Sequence, residues 1–114
     1  MRVPMNSNAS TESILHGIKV LDLSWGIAGP ITSMMLSDNG AEVIKIEPLT
    51  GDPFRSTPGY VVWGRGKKSL SLNLKCDKGK TVFTKLVQHA DVVLESISSG
   101  ISKKLDINYD TLSK

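Results

Sequence analysis

A mostly parallel α/β sheet with flanking helices, cut short after its fourth strand, is the fold class that this sequence predicts, and three observations predict it. Gly17 to Pro48 reads as strand, turn, helix and strand in unbroken succession. Ser69 to Leu74 alternates polar residues with leucine over the length of a strand. Asp77 to Glu95 places an amphipathic helix directly before a short apolar strand. Strands that alternate with helices in this way build parallel sheets through right-handed crossovers.

Ile18, Val20, Leu21 and Leu23 form a short apolar run rich in β-branched residues, which places strand one at Ile18–Leu23. Ser24 to Gly29 follows as a turn, and Pro30, with its fixed φ and missing N–H, suits a first helical position. The helix sets Ile31, Met34 and Met35 on one face, with Asp38 a turn further on, and Asn39-Gly40 supplies a left-handed stop. Val43, Ile44 and Ile46 make strand two, which closes on Glu47-Pro48.

Pro48 to Lys68 holds three of the five prolines and four of the ten glycines, so it reads as a long ordered connection. Connections of that length inside compact domains often carry function. Strand three is Ser69–Leu74, its leucines on one face. Asp77 is the expected N-cap of a helix over Lys78–His89, whose inward side carries Val82, Phe83, Leu86, Val87 and, just beyond, Ala90. Asp91–Glu95 is strand four, and Ser96–Gly100 a turn. Ile101–Leu105 makes one helical turn, and Asn108 caps a further helix near Lys114. Residues 1–14 are expected to be a disordered leader, and 15–114 a single domain whose pattern ends mid-unit.

The net charge of +3 is unevenly spread. Arg65, Lys67, Lys68, Lys75, Lys78, Lys80 and Lys85 face a single acid, Asp77, within one stretch. Such clustering points to a polyanion: nucleic acid, an anionic membrane surface or a phosphorylated small molecule. Few aromatic residues are interleaved and no nucleic-acid motif is present, so no nucleic-acid partner is expected. Lys78, Lys80 and Lys85 read as a solvated helix face. No apolar run reaches the length of a membrane span and no secretory signal is seen, so a cytoplasmic protein without a membrane partner is expected. Cys76 stands alone, and neither His16 nor His89 has a metal-binding neighbour, so no metal is expected.

A glycine-containing turn that leads into a helix N-terminus offers free N–H groups and a positive dipole end to an anion. The dinucleotide fingerprint is absent, for the turn provides only Gly26-x-x-Gly29-Pro30, although Glu47 stands where a ribose-binding carboxylate would. An anion site and a turn that needs small residues for packing both fit this pattern. Gly79-Lys80-Thr81 is no phosphate loop, because Leu74 occupies the place of its first glycine, and Gly59 and Gly64 are followed by Arg65-Gly66. No serine lies in a G-x-S-x-G elbow.

The blocks GIKVLDLSWGIAGP, GAEVIKIEP, GDPFR, RGKKSLSLNLK and ADVVLES, in that order between about Leu15 and Leu112, resemble the family III CoA-transferases, which include α-methylacyl-CoA racemase. The resemblance implies a Rossmann-like domain that binds coenzyme A or acyl-CoA as substrate, a carboxylic acid as second substrate, an interlocked homodimer, and a chain that is the N-terminal piece of the enzyme. It implies a catalytic aspartate further downstream, whose carboxylate attacks the acyl-CoA thioester to form an enzyme-bound anhydride. Asp22, Asp38, Asp52, Asp77, Asp91, Asp106 and Asp110 do not correspond to it, so no catalytic residue is expected here. The implied CoA contacts are the backbone of Gly26 and Ile27, the segment Leu72, Asn73, Leu74 and Lys75 at the adenine and phosphates, Ser96, Ile97 and Ser98 in the turn after strand four, and Lys104 with Leu105. Pro48 replaces an arginine of some relatives, and ESISSG departs from the commoner ENFRPG. A non-catalytic CoA- or nucleotide-binding module and a racemase-like enzyme stand as alternatives.

Overall fold

The computed structural model describes residues 12–114, so residues 1–11 of the expected leader lie outside the described residues. β1 (Lys19–Asp22), α1 (Ala28–Asp38) and β2 (Glu42–Glu47) form the first strand-helix-strand unit. β2 runs parallel to β1, with Lys19 opposite Glu42 and Asp22 opposite Lys45. α2 (Tyr60–Trp63) lies within the long connection to β3 (Lys68–Ser71). Then follow α3 (Asp77–Val87), β4 (Val92–Leu94), α4 (Ser99–Lys104) and α5 (Tyr109–Leu112), the last with Asn108 as its N-cap. The strand order is β3-β2-β1-β4, every pair parallel. The order reverses at β1, since the chain builds outward to β3 and then returns to place β4 on the other side.

Both faces of the sheet are covered, which explains why apolar residues fill both sides of the strands. Val20, Ala41 and Val43 pack with Leu36 of α1 on one face. Leu21, Leu23 and Ile46 pack with Phe83 of α3 and Ile107 on the other. No described helix is long and apolar enough to cross a membrane.

Several local expectations change. α1 starts at Ala28, with Ile27 as its N-cap, so Pro30 is its third residue, where a missing N–H is still harmless. Its inward face is Gly29, Pro30 and Ser33, whereas Met35 is 58% exposed. The reason is chemical, because what α1 covers at this end of the sheet is a carboxylate: Ser33 Oγ donates to Asp22 Oδ2 at 2.5 Å. A Cβ on Gly29 would collide with the Ser24 side chain, so the helix and the end of β1 approach closely there.

β3 is shorter than Ser69–Leu74, yet Leu70, Leu72 and Leu74 all pack against the Phe83 core. Leu72 N still donates to Glu47 O at 2.8 Å, after which Asn73 Oδ1 takes the Lys75 N–H at 3.0 Å and turns the chain. Cys76 is the N-cap of α3, and Asp77 lies in its first turn, where a negative charge suits the helix dipole.

Candidate functional site

Each parallel strand ends at the same edge of the sheet, so the segments leaving β1, β2, β3 and β4 meet there. Between them opens a cavity of about 830 Å³, lined by Leu23 and Trp25, by Ile46 to Thr50, by Leu72 to Lys75, by Ser96 to Ser98, and by Ile101 and Leu105. Its wall is largely apolar, with Asn73, Lys75, Ser96 and Ser98 as polar groups near strand ends. Ser96 ties the two sides of the strand-order reversal together: its Oγ accepts from Trp25 N at 2.8 Å and donates to Trp25 O at 3.2 Å. Open α/β sheets bind ligands at this position, outside the carboxyl ends beside the reversal.

The residues singled out from the sequence fall into two groups. Leu72, Asn73, Leu74, Lys75, Ser96, Ile97, Ser98 and Leu105 all line this one cavity. Gly26, Ile27 and Lys104 do not belong to its wall. Gly26 follows Trp25 with a φ of 79°, a conformation that favours glycine, and Ile27 is 61% exposed. Lys104 is an exposed residue at the end of α4, beside Leu105.

Sequence reasoning missed a buried polar network on the α1 side of the same edge. Asp22, Ser24, Ser33, Lys45, Glu47 and Asp52 are all buried. Asp22 Oδ1 accepts from Ser24 N at 2.9 Å and from Ser24 Oγ, while Oδ2 accepts from Ser33 Oγ and lies 3.2 Å from Lys67 Nζ. Burial alone would raise the Asp22 pKa, but hydrogen bonds from Ser24 and Ser33 and the charge of Lys45 hold it below the ordinary value. Burial pushes the Lys67 ammonium down, against the pull of Asp22. Lys45 Nζ donates to the Ser24 carbonyl and pairs with Asp52 at 3.1 Å. The available signal was the alternation Val43, Lys45, Glu47 along β2: in a sheet covered on both faces, the charged members of such a row are buried and need partners.

Glu47 is a further correction, because its carboxylate is already occupied. It accepts from Arg55 Nε and Nη2 at 2.9 Å each, from Tyr60 Oη at 3.0 Å, from Ser69 Oγ at 3.1 Å and from Asp52 N at 3.1 Å. It anchors the connection after β2, which leaves it poorly placed to take a ribose. Burial opposes ionisation of Glu47, and the bonds from Arg55 and Tyr60 outweigh it, so its pKa is lowered. The basic stretch is also less open to a polyanion than its composition suggests. Arg65 pairs with Asp38 at 2.6 Å, Lys67 with Asp22, Lys68 with Glu42 at 2.6 Å and Lys80 with Asp106 at 2.5 Å. Lys75, Lys78 and Lys85 make no ion pair among the described residues, and of these Lys75 lines the cavity. Among the described residues, no group of three or more His, Cys, Asp or Glu is placed to hold a metal ion.

A parallel sheet ordered β3-β2-β1-β4, with its cavity at the carboxyl ends beside β1 and β4, defines a Rossmann-like α/β half-sheet. Residues 15–114 match CoA-transferase family III, and the chain belongs to that family. It is similar to the succinyl-CoA:mesaconate CoA-transferase of Haloarcula marismortui, at 41% identity over 111 residues that cover 86% of this chain and 28% of that protein. It is also similar to the alpha-methylacyl-CoA racemase of Mus musculus, at 38% identity over 101 residues that cover 87% of this chain and 24% of the racemase. Among solved structures it superposes on Rv3272 from M. tuberculosis with a TM-score of 0.83 at 39% identity, covering 88% of this chain and 28% of that one. The chain thus spans about 28% of the length of the transferase and the solved structure. Transferases and a racemase resemble it to a similar degree, so identity does not divide the two activities.

Proposed function

We propose that this chain is the N-terminal CoA-binding portion of a family III CoA-transferase, and that its cavity holds coenzyme A or acyl-CoA. One observation carries the reading: segments far apart in sequence, Leu72 to Lys75, Ser96 to Ser98 and Leu105, converge on a single cavity at the carboxyl edge. The ligand's adenine and pantetheine have apolar surface to lie against in Leu23, Trp25, Leu72, Leu74 and Ile97, and Lys75 supplies a charge for a phosphate. Burial of apolar surface provides affinity, and the lysine provides orientation.

The chemical step belongs to residues beyond this set. No aspartate lines the cavity among the described residues, and its one carboxylate, Glu47, is fully engaged. Asp22 and Asp52 are buried in ion pairs. In this reading the acyl-accepting aspartate, the carboxylic acid substrate and the second subunit of an interlocked cytoplasmic homodimer complete the enzyme. A racemase-like enzyme would use the same CoA site with different chemistry, a reading that the similarity to the mouse racemase favours.

Titration of the chain in a Trp63→Phe background with coenzyme A, followed by the fluorescence of Trp25, tests the proposal. The expected result is a saturable change that Leu74→Glu, a charge placed in the apolar wall, abolishes. A folded chain that shows no saturable response overturns it.

A further inference from the structure

Ser24 is the first residue after β1 to enter the turn, and every polar group it carries is held by a buried partner. Its N–H and hydroxyl both donate to Asp22 Oδ1. Its carbonyl accepts from Lys45 Nζ, whose side chain is 5% exposed. Behind these stand two further charges: Asp52 at 3.1 Å from Lys45, and Lys67 at 3.2 Å from Asp22. Lys67 in turn donates to Pro30 O at 2.9 Å and Ser33 Oγ at 2.6 Å, so α1 is fastened into the same cluster. The two ammonium groups balance the two carboxylates.

Burying two ion pairs is an expensive way to stabilise a fold, since apolar side chains of similar volume do as well or better. What such a cluster supplies is a fixed geometry, and the geometry fixed here is that of the turn. None of Asp22, Lys45, Asp52 and Lys67 lines the large cavity, but Trp25, next along the chain, does, and Gly26 follows in a left-handed conformation. We propose that Asp22, Lys45, Asp52 and Lys67 are positioning residues that hold the Ser24–Gly26 turn so that Trp25 and the adjoining backbone face the ligand. That the ligand is coenzyme A rests on the function proposed above; the control of the turn does not.

The test removes a whole ion pair, because deleting one partner would strand a buried charge. Lys45→Met/Asp52→Leu is compared with Lys68→Ala/Glu42→Ala, an exposed pair joining β3 to β2 away from the turn. Both are made in a Trp63→Phe background, which leaves Trp25 as the only indole reporter of the two tryptophans. Amide exchange without ligand is expected to be at least ten-fold faster at Trp25 and Gly26 in the first double variant. Exchange at Leu21 and Ile44 stays unchanged, and affinity for coenzyme A falls about ten-fold. The control pair changes neither. Unchanged exchange at the turn, or equal acceleration throughout β1 and β2, overturns the proposal, the latter by showing a merely structural role. If the double variant does not fold, Ser24→Ala decides: it cuts only the hydroxyl tether and should speed exchange at the turn alone, and no change there overturns the inference. A wild-type chain that ignores coenzyme A while the exchange pattern holds would refute the ligand and leave the positioning intact.

Discussion

Glu47 and Asp22 are carboxylates that folding makes stronger acids, and the pH dependence of stability follows from that. In both, burial raises the pKa and hydrogen bonds more than offset it, so each folded value lies below the ordinary 4.5 or 3.8. Between the folded and unfolded values the unfolded chain binds more protons, so stability rises with pH there. The contribution is complete above the ordinary carboxylate range and is lost as pH falls through the folded values. Urea midpoints should therefore be level from pH 7 to about 5 and fall below about pH 4, with a shallower fall in Glu47→Gln. A midpoint that rises on acidification would refute this assignment. Tyr60 shows the opposite sign, as burial and the bond to Glu47 push its phenol up to about 12. Its contribution is present below about pH 10 and disappears as pH climbs toward the folded value. Ultraviolet titration should show one of the two tyrosines ionising near 12, and Glu47→Gln should bring it down. Lys75 provides the ligand-side counterpart. It is exposed, so Lys75→Ala should weaken coenzyme A binding by about 1 kcal/mol, roughly five-fold, while Lys78→Ala and Lys85→Ala leave it unchanged in the same titration.

Helix α3 begins just after the cavity segment Leu72–Lys75, and two glycines show how element packing overrides propensity. Alanine is favoured over glycine in helices by about 1 kcal/mol. A Cβ on Gly79 would strike the Asn73 carbonyl, which is backbone and cannot swing aside, whereas a Cβ on Gly100 in α4 meets nothing. Gly100→Ala should therefore raise the urea midpoint, and Gly79→Ala should lower it. Only Gly79→Ala should also weaken coenzyme A binding, because Asn73 to Lys75 would shift with the helix. The order of strands and helices was legible because apolar spacing reports burial directly, as in the Leu70, Leu72 and Leu74 row or Phe83 with Leu86 and Val87. The inward face of α1 was not legible, since it buries Ser33 on a carboxylate and its apolar residues give the wrong direction. The network joining positions 22, 24, 33, 45, 52 and 67 depends on contacts between distant segments, so the alternation Val43, Lys45, Glu47 marks its β2 members as buried but does not name their partners. The cavity wall was recognisable through the family's sequence blocks, but those blocks cannot say that Gly26, Ile27 and Lys104 stand outside it.

At the scale of the molecule, the same cavity that offers a site also weakens the fold. A cavity of about 830 Å³ with a largely apolar wall stands open at the carboxyl edge, so residues that could complete a core instead face a ligand-sized space. Among the described residues the buried apolar set is small: Val20, Leu21, Leu23, Ala41, Val43, Ile46, Phe83 and Ile107. Leu49, Val61, Val62 and Ile101 are half exposed or more, and β4, an edge of the sheet, has only three residues, with Val92 at its start 40% exposed. The chain alone should then unfold with less than the roughly 5 kcal/mol at the lower end for intact domains. A ligand that binds only the folded form adds RT ln(1 + [L]/Kd), about 2.7 kcal/mol at a hundred-fold excess over Kd. Coenzyme A at that excess should consequently raise the urea midpoint by a large fraction of its starting value, and Leu74→Glu should remove the rise. Acyl transfer from acyl-CoA to a free acid should stay at the blank level in the same samples, because among the described residues no free carboxylate lines the site. A chain stable by about 5 kcal/mol or more would contradict the stability argument. Transfer above the blank would contradict the placing of the nucleophile elsewhere, while a midpoint indifferent to coenzyme A in a folded chain would count against the cavity as its site.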